Sequence, residues 1–97
     1  MRLWVDDCRP APEGYAWAKS VNDAIFCIEA WERYGIEITL ISLDHDAGDY
    51  GPPDYIKILD WLEETGRSYS IHIHSQNVVG RMNMEAICRR NGWTIVE

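Results

Sequence analysis

The chain has 97 residues and a formal net charge of −7, and 46% of its residues are apolar, with five Trp and five Tyr among them. That length fits a single domain over residues 1–97, with enough apolar material for a core without staples. The acidity excludes a general nucleic-acid-binding surface, which needs clustered Lys and Arg to displace counterions. No apolar run approaches a membrane span, the N-terminus is too polar for a signal peptide, and three Cys without metal-type spacing do not make a disulfide framework. A cytoplasmic protein with reduced thiols and no membrane partner is the expectation; the oligomeric state is not legible.

Arg2 to Val5 reads as a short strand with Asp6 and Asp7 at its C-terminal end. Pro10, Pro12 and Gly14 make the next segment a loop. Tyr15 to Lys19 reads as a second strand. Ser20 or Asn22 can cap the following helix, whose apolar positions Ala24, Ile25, Ile28 and Trp31 recur at helical spacing, and Gly35 ends it. Ile38 to Leu43 reads as a strand buried on both faces, followed by Asp44, His45, Asp46 and a Gly- and Pro-rich loop. Pro53 and Asp54 are expected to open a second helix, with Ile58, Leu59, Trp61 and Leu62 on its buried face and Gly66 as its stop. Ser70 to His74 reads as a fourth strand, ending in Ser75-Gln76-Asn77. A third helix is expected over about Val79 to Arg90, with Met82, Met84, Ile87 and Cys88 as core residues, then a last strand from Trp93 to Val96.

Strands alternating with helices predict an α/β fold: a mostly parallel five-stranded sheet with helices on both faces. The segment between the first two strands is shorter than the roughly dozen residues a helical crossover needs. Strand two is therefore parallel through an extended connection, or antiparallel at an edge.

In a parallel sheet the C-terminal strand ends share one edge, where ligands bind. Asp6 and Asp7, then Asp44, His45 and Asp46, then His74, Ser75 and Asn77 converge there from three strands. Crowded carboxylates call for a cation, and oxygen donors suit Mg²⁺ or Mn²⁺, while added imidazoles shift the choice toward Mn²⁺, Zn²⁺ or Fe²⁺. Each group also has a plainer role. Asp6 and Asp7 can cap the loop before Arg9, and His45 can point away from its neighbours, since strand residues alternate. His72 lies mid-strand and reads as a core histidine, whereas His74 stands two residues nearer the edge. Ser75 has no nucleophile elbow around it and reads as a phosphate-oxygen donor. Asn77 caps the third helix, binds ligand, or both. Arg81 holds a phosphate or pairs with a surface carboxylate.

Leu3-Trp4-Val5-Asp6-Asp7-x-Arg9-Pro10, Trp17-Ala18-Lys19, Ser42-Leu43-Asp44-His45-Asp46-x-Gly48, Trp61-Leu62-Glu63 and His74-Ser75-x-Asn77-x-x-Gly80-Arg81-x-x-Met84 resemble the cyclic-phosphate-processing receiver-like domain family. The motifs occur in the family's order over nearly the whole chain. The resemblance implies a receiver-like (flavodoxin-like) fold with three helices and the first receiver helix missing, and metal-dependent handling of cyclic phosphates. Tyr50 to Asp54 depart from the family's usual helix start, which leaves Tyr50 and Asp54 without roles.

The leading functional expectation is a metal-dependent phosphodiesterase whose partner is a small substrate, a 2′,3′-cyclic phosphate or a cyclic nucleotide. Asp6, Asp7, Asp44 and Asp46 would hold the metal, His74 or His45 would be the general acid, and Ser75, Asn77, Arg81 and Arg9 would hold the phosphate. The alternatives are a phosphoacceptor receiver using Asp44 or Asp46, which would lack the Lys of the receiver's fifth strand, and a non-catalytic binder.

Overall fold

The computed structural model describes residues 1–97. Four short strands, β1 (Arg2–Val5), β2 (Tyr15–Ala18), β3 (Leu40–Leu43) and β4 (Ile71–Ile73), and three α-helices, α1 (Val21–Arg33), α2 (Ile56–Glu64) and α3 (Val78–Asn91), form the chain. The sheet order is β2-β1-β3-β4, and every pairing is parallel. Strand two is thus parallel through the extended Asp6–Gly14 connection, with no helix between β1 and β2.

The register explains which residues are buried. Leu3, Ile41 and Ile71 lie side by side, as do Val5, Leu43 and Ile73. These two rows make one aliphatic face of the sheet, and all six side chains are buried. The other face carries Trp17, Trp4, Ser42 and His72 in one row. The β2→α1→β3 and β3→α2→β4 connections both move across the sheet in one direction. Right-handed crossovers then place their helices on one side. α2 touches both α1 and α3, as a single helical layer requires. The expectation of helices on both faces is corrected accordingly: Leu59, Leu62, Ile28, Met84 and the aliphatic sheet face form the core, while Trp17 on the opposite face is 38% exposed.

Three sequence expectations need correction. The sheet has four strands, not five. Ile95 makes only an isolated bridge to Ile71, through Ile71 N–H to Thr94 O and Val96 N–H to Ile71 O. The Val96 carbonyl is hydrogen-bonded to the His72 ring at 2.8 Å, a side chain, so the ladder does not propagate. α2 starts at Ile56, not at Pro53 or Asp54. The Asp54 carboxylate instead accepts the Ala47 N–H at 3.1 Å, closing the loop after β3. Met82 is 63% exposed and takes no part in the core, whereas Met84, Ile87 and Cys88 are buried as expected.

Helix ends follow the sequence closely. Ser20 caps α1 by accepting the Asp23 N–H, and Asn77 caps α3 by accepting the Gly80 N–H. No helix is long and apolar enough to cross a membrane. Cys8, Cys27 and Cys88 are unpaired.

Candidate metal centre at the sheet edge

The segment after β1 is folded by its own side chains. Asp6 Oδ1 accepts the backbone N–H groups of Cys8 and Arg9, both at 2.9 Å. The Trp4 indole donates to Arg9 O at 2.9 Å, and the Trp17 indole donates to Asp6 O at 2.8 Å. These bonds fix Asp6 and the turn that follows it at the end of β1. Ligand atoms of Asp6, Asp7 and Asp44 all lie within 4.8 Å of one another.

Arg9 neutralises part of this cluster. Its Nε stands 3.2 Å from Asp6 Oδ2, its Nη2 stands 3.6 Å from Asp44 Oδ2, and Nη2 also donates to His74 O at 3.1 Å. Asp44 Oδ1 accepts the His45 N–H at 2.8 Å. The Asp7 carboxylate accepts no hydrogen bond and has no cationic partner. It lies against Gly48, whose φ of 55° suits glycine and where a Cβ would overlap the carboxylate. Three converging carboxylates, one without a partner, make a hard oxygen donor set that fits Mg²⁺ or Mn²⁺.

Asp46, expected with the other three aspartates, stands apart. It belongs to a second group with His45 and Asp54. The His45 ring meets Asp46 through Nδ1 at 2.7 Å. That hydrogen bond holds the Asp46 carboxyl below its usual range, against the opposing effect of its limited burial and with help from Asn77. Asn77 Nδ2 lies 3.3 Å from Asp46 Oδ1, so Asn77 both caps α3 and braces this pair. The His45 ring occupies the space a side chain at Gly80 would fill; a Cβ there would overlap the imidazole. His45 Nε2 makes no hydrogen bond.

His74 is built in differently. Its side chain is only 8% exposed, and the ring stacks on Trp4 at 3.8 Å between centroids and 3° between planes. Nε2 lies 2.9 Å from Asp6 Oδ2, and Nδ1 lies 2.8 Å from Ser42 Oγ. A neutral ring satisfies both contacts: Nε2–H donates to the carboxylate, and Nδ1 accepts the Ser42 hydroxyl. Burial lowers the His74 pKa and outweighs the opposing pull of Asp6. Burial pushes the Asp6 carboxyl up, but the Cys8 and Arg9 N–H groups and His74 outweigh it and hold Asp6 low.

This arrangement sets a pH dependence. An unfolded histidine titrates near about 6.5, and the folded His74 resists protonation until lower pH. Between those values the unfolded chain binds more protons, so stability falls as pH drops through that window. Denaturant unfolding between about pH 5 and about pH 8 is expected to show this slope in the wild type and a shallower one in His74→Gln. An equal slope in both would mean that His74 is not the linked group.

Ser75 is buried, and its Oγ accepts the Asn77 N–H at 3.1 Å, leaving the hydroxyl proton uncommitted. Arg81 points outward, 47% exposed, with its Nε 3.4 Å from Glu85. Sequence reasoning missed Asp54 and Tyr55. Tyr55 is fully buried, donates to Lys19 O at 2.7 Å, and has its pKa pushed up by burial and by the charges of Asp7, Asp6 and Asp44. A tyrosine just ahead of a helix reads as ordinary core, so the sequence carried no signal for this contact.

A parallel α/β sheet with carboxylates converging at the C-terminal ends of its two central strands defines a receiver-like domain. The chain matches the family model of the cyclic-phosphate processing receiver domain over residues 1–90 and belongs to that family. No curated protein and no solved structure matches it significantly.

Proposed function

We propose that this domain is a metal-dependent phosphodiesterase that opens a small cyclic phosphate, a 2′,3′-cyclic phosphate or a cyclic nucleotide. The observation that carries the reading is the convergence of Asp6, Asp7 and Asp44 within 4.8 Å in a chain of a cyclic-phosphate processing family. Asp6, Asp7 and Asp44 would hold a divalent ion, Mn²⁺ or Mg²⁺ by donor chemistry, with Zn²⁺ or Fe²⁺ less well suited to an all-oxygen set. Such an ion supplies Lewis acidity toward a phosphoryl oxygen and lowers the pKa of water.

The remaining work falls to the chain's own side chains. Ring opening forms one P–O bond to water and breaks one P–O bond to the sugar, whose oxygen needs a proton. His45 suits that task better than His74. Asp46 orients His45 through Nδ1, so Nε2 can carry the proton to the departing oxygen. Both His74 nitrogens are already engaged, which fits a residue that positions Asp6. At the start of α3 the Ser75 hydroxyl has a proton free for a phosphate oxygen, whereas Asn77 Nδ2 would have to leave Asp46 and Arg81 would have to leave Glu85 to join it. Arg9 shares its guanidinium between Asp6 and Asp44, half exposed at the edge of the cluster, and would hold a phosphate oxygen there.

A screen of cyclic phosphates with Mn²⁺, Mg²⁺ and Zn²⁺, each against a chelated control, tests the reading. Conversion to a monophosphate only with metal is expected. A hydroxylamine-labile gain of one phosphate on Asp44 or Asp46 from a small phosphodonor, without such conversion, would favour a phosphoacceptor role instead.

A further inference from the structure

Nine Lys and Arg side chains serve this chain. Arg9, Lys57, Arg67, Arg81, Arg89 and Arg90 pair with carboxylates. Of the rest, Arg2 begins β1 and Arg33 ends α1, while Lys19 follows β2 at the sheet's C-terminal edge. Lys19 has aromatic partners only. Its Nζ lies 4.5 Å from the Trp17 ring centroid and 5.9 Å from that of Tyr50.

This group adjoins the carboxylates through three links. The Trp17 indole donates to Asp6 O. The Lys19 carbonyl accepts Tyr55 O–H, whose phenol feels the charges of Asp7, Asp6 and Asp44. Tyr50 closes the short 3₁₀ turn that begins at Gly48, the residue packed on the Asp7 carboxylate. Trp17 and Tyr50 are both partly open to solvent, at 38% and 46%. An unpaired cation held between two exposed aromatic rings, beside a phosphate-handling centre, offers a flat ring a stacking surface and an anion a counter-charge.

We propose that Trp17, Lys19 and Tyr50 form a nucleoside subsite, so that the substrate is a cyclic mononucleotide, with its base on Tyr50 and Lys19 directed at its phosphate. The proposal rests on the cyclic-phosphate reading above and narrows it. A mononucleotide, not an RNA end, fits a chain of net charge −7, which repels the further phosphates of a polymer.

The test measures binding without turnover, by calorimetry with Mn²⁺, using two product-shaped monoesters: adenosine 2′-monophosphate and glycerol 2-phosphate. The nucleotide should bind the wild type at least about tenfold more tightly, in line with the contribution of one base–aromatic stack. Tyr50→Leu should remove most of that preference and leave glycerol 2-phosphate unaffected, and Lys19→Met should weaken both ligands. Equal binding of the two ligands, equal loss of both in Tyr50→Leu, absence of binding by either, or tighter binding of a 3′-phosphorylated oligoribonucleotide would each overturn the subsite. Base-dependent binding without hydrolysis of any cyclic phosphate would sink the phosphodiesterase reading and keep the subsite. Hydrolysis without base preference would do the reverse.

Discussion

His45→Ala is expected to lower cyclic-phosphate turnover by about a hundredfold to ten-thousandfold, the usual range for losing a general acid, with a smaller loss of stability than His74→Ala, because the His45 ring packs on Gly80 and bonds to one side chain, Asp46, at the surface. That ring is oriented by Asp46 and leaves Nε2 free. His74→Ala should behave in the opposite way. It removes a buried ring stacked on Trp4 and hydrogen-bonded to Asp6 and Ser42. Losing that packing and those bonds costs on the order of 2–4 kcal/mol, a fall in melting temperature of roughly 10–20 °C for a domain of this size. Turnover by the folded fraction of His74→Ala should drop less than in His45→Ala, because Asp6 keeps its backbone donors from Cys8 and Arg9. Thermal melts beside initial rates separate the two variants. A stable His74→Ala protein without activity would return the acid's role to His74.

Gly80→Ala should be harmful, although the same change at most helical positions stabilises. Alanine gains about 1 kcal/mol of helix propensity over glycine. Here a Cβ would overlap the His45 ring, and Gly80 is buried in the first turn of α3. The ring must move, or the helix must shift away from the loop after β3. Overpacking of this kind costs typically 1–3 kcal/mol, enough to cancel the propensity gain or reverse it. Displacing His45 by about 1 Å should also lower turnover roughly a hundredfold. A melting temperature above that of the wild type, with full activity, would show that the His45 ring does not need this space.

The division between what the sequence foretold and what it hid follows from range. Strand ends, caps and helix stops are local: Ser20, Asn77, Gly35 and Gly66 could be read from their neighbours alone. The meeting of Asp6, Asp7 and Asp44 needed only the parallel order of two strands. The separation of Asp46 from that cluster goes with its hydrogen bonds to His45 and Asn77, which spacing does not encode. The burial of His74 depends on Trp4 and Asp6, far away along the chain. Its place near the sheet edge suggested a reactive group, and only packing distinguishes that from a positioning one. The fifth strand failed for a similar reason, since apolar spacing from Trp93 to Val96 says nothing about the His72 ring that takes the Val96 carbonyl.

The most direct test of the metal-centre account follows cyclic-phosphate turnover by ³¹P NMR in the wild type and Asp44→Asn, each with Mn²⁺ and with a chelator. The account predicts ring opening to a monophosphate in the wild type with Mn²⁺ alone, and loss of that activity in Asp44→Asn while the variant remains folded. Equal ring opening in chelator, or an Asp44→Asn protein as active as the wild type, would contradict it.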